Sequence, residues 1–338
     1  MRGASLWFAR QLTAEDADNS RVRRACEYQL ILCSGMMDVA ALKALVPDLP
    51  PVLLYCHESQ IVYPSQSTRD ADLHFAFTDV VNMLAADKVL FNSSTHRSAF
   101  LDRLPGFLRH FPEFRPMWAA EEISTKSAVC YPGIEIPAIL GEREPNQGTP
   151  LIIWNHRWEF DKNPQAFFRA LALLALRDID FEVAVLGENF KTVPREFTDA
   201  RETLGSRIVH YGYVSDRSEY VGWITRGDVV VSTAIQENFG ISVLEAVACG
   251  CFPVLPNRLS YPEIMPAEFH ADVLYDQDDA LADALITVLG RSREDRDCTA
   301  ATLASHARSF SWDLRIGDFD CAMEETLASG PAARGSDS

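Results

Sequence analysis

Two glutamates, Glu237 and Glu245, stand seven residues apart around a Phe239-Gly240 pair in the segment VSTAIQENFGISVLEAVACGCFPV. An ionised carboxylate only accepts hydrogen bonds, and it accepts several at once, so two of them fixed side by side suit a ligand rich in hydroxyl groups. A second constellation lies upstream in WNHRWEFDKNP, where Arg157 and Lys162 are five residues apart just ahead of Pro164. Proline favours the first turn of a helix, so both cations sit beside a helix amino end, where a guanidinium, an ammonium and the helix dipole all attract a diphosphate. Each pattern alone also fits a plain structural alternative: a βαβ crossover with two solvated glutamates, and a loop with a local Lys–Asp pair. Together, in one domain, they favour a ligand carrying both phosphate and hydroxyls.

The elements around them explain the placement. Asp228 to Ser232 reads as a buried parallel strand because it lacks alternation. Ala234 to Gly240 is then the loop at its carboxyl end, and helical spacing starts at Ile241 and stops at Cys249-Gly250-Cys251, before a strand at Phe252 to Leu255. The carboxyl edge of a parallel sheet is where open α/β folds bind ligands. Leu151 to Trp154, Phe181 to Leu186 and Ile208 to Tyr211 are further strands, the last two ending at Gly187 and at Gly212-Tyr213; helices are expected over Pro164 to Leu176, Ser218 to Arg226, Ala280 to Leu289 and Asp297 to His306. An earlier α/β series runs through strands at Tyr28 to Cys33, Val52 to Tyr55, Lys88 to Phe91 and Ser127 to Tyr131. Its helices are expected over Met37 to Leu45, Asp72 to Ala86 and Thr95 to Leu104. The polar stretch 141–150 is the best linker, which predicts an N-terminal domain over 1–145, a C-terminal domain over 150–328 and a disordered tail over 329–338. Alternating strand and helix in both halves predicts α/β architecture, two doubly wound Rossmann-like domains facing a central cleft.

In the first half, His57-Glu58 closes the second strand. A histidine there is either a buried structural residue or, at a strand's carboxyl end, a functional one, and the position favours function. Asn92-Ser93 reads mainly as a helix cap with substrate contact as a second role. Glu263, in Tyr261-Pro-Glu-Ile264, is equally balanced between lining the site and a helix surface.

Composition bounds the rest. With 338 residues, 47% apolar and 23% charged, the chain has room for two cores. No apolar run is long enough to span a bilayer, and the opening MRGASLWFARQL lacks the apolar block of a secretory signal. The formal charge of −17 argues against nonspecific nucleic-acid binding, and residues 1–148, at −4, are the place for any anionic partner. The eight cysteines show no paired metal spacing and read as reduced thiols of a cytosolic protein. A Gly-x-Gly-x-x-Gly turn after a strand and a Gly-x4-Gly-Lys-Ser/Thr loop are both missing, which argues against a dehydrogenase and a P-loop NTPase. Asp16-Ala-Asp18 follows no buried strand, which argues against a metal-dependent GT-A transferase.

The Glu pair resembles the E-x7-E motif of retaining GT-B glycosyltransferases, and the Arg-x4-Lys spacing matches the pair that neutralises their leaving nucleoside diphosphate. LLYCHESQIVYP, ADKVLFNSS, WNHRWEFDKNPQAFF, VLGENF, STAIQENFGISVLEAVACGCFPV and YPEIMPAEF together resemble the tRNA-queuosine α-mannosyltransferase family over about residues 1–325. The resemblance implies a GT-B fold, GDP-mannose as donor without a metal or other cofactor, the queuosine base of tRNA-Asp as acceptor, and transfer with retention in the cytoplasm, away from membranes. It places Glu245 on the ribose hydroxyls, Glu237 on the mannose hydroxyls, and Arg157 with Lys162 on the phosphates. Gly187, Gly212, Tyr213, Asn238, Phe239, Gly240 and Ile241 complete the expected donor site. His57 joins Glu237, Arg157 and Lys162 at the reacting centre, with Glu58, Asn92 and Ser93 on the acceptor side. The family opens with a strand and a Gly-Gly-Ser loop ahead of the region matching MRGASLWFARQL, so the N-terminal domain is expected to lack its first strand. Two alternatives stay open: a GT-B transferase with another acceptor, and a truncated, non-catalytic nucleotide-sugar-binding homologue. Oligomeric state is not legible.

Overall fold

The structure, a computed structural model, describes residues 3–13, 24–64, 73–136, 148–188 and 193–329. The chain divides into two compact units, residues 1–131 with 315–338, and residues 132–314.

In the first unit four parallel strands stand in the order β1 (Ile31–Ser34), β2 (Val52–Cys56), β3 (Lys88–Phe91), β4 (Ser127–Val129). Helices α1 (Ala4–Thr13), α2 (Val39–Leu45), α3 (Leu73–Ala85), α4 (Ser94–Arg109) and α5 (Ala119–Lys126) accompany them. β2 is buried along its whole length because both faces are covered. Val52, Leu54 and Cys56 join Phe91, Phe100 and Ile123 in the larger core, while Leu53 and Tyr55 face the other way with Leu90 and Cys130. The first strand starts at Ile31 rather than Tyr28, and α4 continues past the expected stop at Leu104, with Pro105 inside it.

The second unit holds six parallel strands in the order β10-β9-β8-β5-β6-β7, numbered β5 (Leu151–Trp154), β6 (Glu182–Leu186), β7 (Ile208–Gly212), β8 (Val229–Val231), β9 (Phe252–Pro256) and β10 (Leu274–Tyr275). Helices α6 (Pro164–Leu176), α7 (Arg195–Leu204), α8 (Arg217–Arg226), α9 (Ile241–Ala248), α10 (Tyr261–Ile264), α11 (His270–Val273), α12 (Leu281–Gly290) and α13 (Arg293–Arg308) connect and flank them. From β5 the chain builds outward through β6 and β7, then returns to place β8 against the other side of β5. The switch point therefore lies between β5 and β8, and an open α/β sheet binds its ligand outside the carboxyl ends of such a pair.

The last helix, α14 (Trp312–Ser329), corrects the expected domain limits. Its Phe319 and Ala322 pack on Leu53, Tyr55 and Leu90, so it belongs to the first unit, not the second. The division after Tyr131 precedes the expected linker, of which residues 141–147 lie outside the described residues, as does 330–338 of the expected tail. All eight cysteines are free thiols: Cys33, Cys56, Cys130, Cys249 and Cys251 are buried, and Cys26, Cys298 and Cys321 are exposed. No helix among the described residues is long and apolar enough to cross a membrane.

Candidate donor site

β5 is entirely buried and ends with Trp154, which stacks on Phe167 of α6 with ring centroids 5.5 Å apart. The exit loop then runs Asn155 to Asn163, and Asn163 (φ 49°) caps α6 by accepting from the Ala166 amide, with Pro164 in the first turn as expected. The two cations of this loop take different roles. Lys162 is buried; its Nζ donates to the Gln236 carbonyl at 2.8 Å and reaches Glu237 Oε2 at 3.2 Å and Asp161 Oδ2 at 3.4 Å. It thus ties the β5 loop to the β8 loop, and its charge is matched by two carboxylates. Arg157 keeps half its side chain exposed, with Glu159 at 3.5 Å and Asp161 at 3.9 Å. Of the pair, Arg157 is the one open to a phosphate.

Glu237 stands in the β8 loop as the sequence predicts. Burial, the largest single influence, pushes its carboxyl up, but the Lys162 ammonium, His156 and the Phe239 amide together outweigh it, and the group titrates below its usual range. His156, beside it, is held down to about 4 by burial first and then by Lys162, so it is neutral near pH 7. The Phe239 amide donates to Glu237 Oε1 at 3.4 Å, and the Ser260 hydroxyl fixes the Phe239 carbonyl at 2.8 Å. Gly240 has φ 103°, a conformation that favours glycine, and occupies the N-cap of α9 without capping it by a side chain. The first amides of α9 are therefore presented at the same edge, next to the half-exposed Ile241.

Glu245 is buried on α9, not on a helix surface, and it is not alone. Arg217 Nη2 donates to Oε1 at 2.6 Å and Nη1 to Oε2 at 3.4 Å, while the Tyr220 hydroxyl donates to Oε2 at 3.2 Å. Tyr220 in turn accepts from Asn155 Nδ2 at 3.0 Å. Sequence reasoning missed Asn155, Arg217 and Tyr220. The signal available was modest: a polar Asn155 directly after an apolar strand, and Arg217 and Tyr220 three apart on one face of α8.

Beside this network lies a cavity of about 210 Å³, whose wall includes Asn155, Arg157, Gly187, Tyr213, Val214 and Tyr220. Gly187 (φ 150°) ends β6, and its amide donates to the Gly212 carbonyl at 3.0 Å. A Cβ on Gly187 would overlap the His156 carbonyl oxygen, so glycine is required where β6 meets the β5 loop. Asn238 accepts from Gln236 Nε2 at 2.9 Å at the tip of the β8 loop. Arg157, Lys162, Gly187, Gly212, Tyr213, Glu237, Phe239, Gly240, Ile241 and Glu245 are thus all gathered around the β5, β6, β7 and β8 ends of one sheet.

In the first unit His57 follows β2 and is exposed, with its ring edge-on to Tyr55 at 4.7 Å, so the buried structural alternative does not hold. Asn92 and Ser93 are buried and committed. Asn92 Nδ2 donates to the His57 carbonyl at 3.0 Å, its Oδ1 accepts from His96 Nδ1 at 2.7 Å, and Ser93 caps α4 by accepting from the His96 amide at 3.0 Å. Glu58 lines a cavity of about 440 Å³ with Asp38, Asp79, His74 and Phe75. Burial pushes Asp79 up to about 6 despite hydrogen bonds from Ser59 and Gln60. Glu263 lies on α10.

Comparison with known proteins gives two matching family profiles: residues 1–134 match "tRNA-queuosine alpha-mannosyltransferase N-terminal", and residues 136–303 match "Glycosyl transferases group 1". The tRNA-queuosine alpha-mannosyltransferase of Drosophila melanogaster is 36% identical over 276 residues, covering 78% of this chain and 73% of that protein. A GDP-mannose-dependent alpha-(1-6)-phosphatidylinositol dimannoside mannosyltransferase of Mycobacterium tuberculosis is 28% identical over 163 residues, 48% of this chain and 40% of that protein. Among solved structures, sucrose-phosphate synthase from Thermosynechococcus elongatus superposes with a TM-score of 0.67 at 17% identity, over 90% of this chain and 75% of that one, which establishes a shared two-domain GT-B fold.

Proposed function

The chain belongs to the tRNA-queuosine alpha-mannosyltransferase family, and from that premise we propose that it transfers mannose from GDP-mannose to the queuosine base of tRNA-Asp, with retention at the anomeric carbon. It is a glycosyltransferase. The observation that carries the donor half is the convergence of Arg157, Glu237, Glu245 and the start of α9 at the β5–β8 switch point of a single unit.

In this reading the diphosphate meets Arg157 and the α9 amides, where a guanidinium and a helix dipole balance its charge without a metal. Glu245, steadied by Arg217 and Tyr220, accepts from the ribose, and Glu237, kept ionised by Lys162, accepts from the mannose hydroxyls. The cavity beside Tyr213 and Val214 receives the rest of the nucleoside. The mannose C1–O bond to phosphate breaks as the acceptor oxygen bonds C1 on the same face, and the leaving phosphate takes the acceptor's proton. No side-chain nucleophile is assigned; positioning and charge stabilisation provide the rate. The acceptor is assigned to the first unit, with His57 and Glu58 as its candidate contacts, and the reaction to the cytoplasm where its tRNA resides.

The test is incubation with GDP-mannose and queuosine-containing tRNA-Asp, followed by digestion to nucleosides and mass analysis. One hexose added to queuosine is expected, and unmodified queuosine sinks the acceptor assignment. By calorimetry, Glu245→Ala and Arg157→Ala should each weaken GDP binding about 10- to 100-fold, the range of a charge-assisted hydrogen bond. Unchanged affinity in both variants would overturn the donor site.

A further inference from the structure

Three carboxylates of the first unit line one cavity without an ion-pair partner among the described residues. The cavity, of about 440 Å³, opens at the carboxyl ends of β1 and β2, with Met36 and Asp38 after β1, Glu58 after β2, and Phe75, Thr78 and Asp79 on one face of α3. Its volume is that of a small-molecule site, roughly 300–1,000 Å³. Asp38 Oδ1 accepts from the Ala41 amide at 2.8 Å. Asp79 Oδ2 accepts from the Ser59 hydroxyl at 2.8 Å and from the Gln60 amide at 3.0 Å. Its Oδ1 has no donor among the described residues and stays accessible to solvent. Burial first, and Glu58 after it, push Asp79 up, as happens where like charges gather without a cation.

Among the described residues these carboxylates do not converge into a cluster able to hold a metal ion. Set along a wall that includes an aromatic ring and a thioether, they suit an extended organic cation, and they repel a phosphate. RNA offers few cations, since its phosphates are negative and its common bases neutral. Queuosine carries one: its deazaguanine bears a secondary amine, protonated at neutral pH, that leads to a cyclopentene ring with two hydroxyls. Those are the only hydroxyls of the base, so the acceptor oxygen lies within a few bonds of the charge. We propose that this cavity binds the cationic arm of the acceptor base: Asp79 and Glu58 accept from its ammonium, and Phe75 and Met36 cover its carbocycle. The inference rests on the acceptor assignment made above, and it gives that assignment a charge-based means of telling queuosine from unmodified guanine.

The test is mannosyl transfer by the full chain, with two unreactive tRNA-Asp competitors. One carries an aminomethyl-deazaguanine in place of queuosine, which keeps an ammonium but lacks the diol ring; the other carries plain guanine. In the wild type the aminomethyl tRNA should inhibit about tenfold more strongly than the guanine tRNA, the effect of one charge-assisted hydrogen bond. In Asp79→Asn and Glu58→Gln that ratio should collapse towards one, and KM for queuosine-tRNA should rise about tenfold while KM for GDP-mannose stays the same. Asparagine at position 79 keeps an oxygen for Ser59 and Gln60, and each ratio is internal to its variant, so a general loss of folded protein does not imitate the result. Equal inhibition by the two competitors in the wild type would overturn the proposal even if a variant folds poorly. So would a wild-type ratio retained in both variants. Failure of the wild type to mannosylate queuosine-tRNA would remove the acceptor reading itself; transfer without preference for the aminomethyl competitor would remove this inference alone.

Discussion

His156 shows how closely charge is managed beside the donor site. Its ring is buried, with Nε2 directed at the Val231 carbonyl at 3.3 Å, and it adjoins the Lys162–Glu237 pair. Its folded pKa of about 4 lies below the ordinary 6.5, so the unfolded chain takes up the proton first as pH falls. The stability this residue contributes is therefore complete above about pH 6.5 and is lost on acidification towards pH 4, at most about 3 kcal/mol from the shift. Urea unfolding of wild type and His156→Gln across that window should show the wild type losing stability relative to the variant on acidification. Parallel curves would contradict the assignment. At this scale the sequence was legible where strand and loop order set the place of a side chain, as with Arg157, Lys162, Glu237 and Glu245 at one sheet edge. It was not legible where the partner is distant: Arg217 meets Glu245 across 28 positions, and nothing in either local segment announces the pair.

Strand ends do the positioning, and Gly187 is the tightest of them. It closes β6 against the β5 loop so closely that the His156 carbonyl occupies the space of a side chain. Gly187→Ala must move that carbonyl and adopt a φ of 150° that other residues avoid, at a cost of roughly 1–3 kcal/mol. Because the displaced loop carries Arg157, GDP affinity should fall together with the melting temperature; a variant with unchanged affinity would show that the loop is not fixed by this contact. The central strands were readable because β2, β5, β8 and β9 are covered on both faces and appear as unbroken apolar runs. Two-residue β10 is too short to leave such a run. Helix α14 was missed because its buried stripe is thin, with Phe319, Ala322 and Thr326 set among acidic positions.

For the whole molecule, α14 means that the first unit is assembled from both ends of the chain while the candidate donor-site residues lie together in the second. Phe319 packs on Tyr55 with centroids 5.3 Å apart, so Phe319→Ala should destabilise the first unit by about 3 kcal/mol. GDP affinity should stay as in the wild type. A matching loss of nucleotide binding would mean the units are energetically one. Domain count and sheet class could be read from the alternation of strand and helix, but the return of the last helix is a matter of which apolar face remained to be covered, and that is settled only in three dimensions. The distribution of thiols has a practical corollary. Burial pushes Cys33 and Cys249 up to about 11 and Cys130 up to about 12, which leaves Cys26, Cys298 and Cys321 as the accessible sulfurs. With Cys26 changed to serine, a maleimide dye pair would attach at Cys298 on the second unit and Cys321 on the first, so that two native thiols report by fluorescence energy transfer during a catalytic cycle.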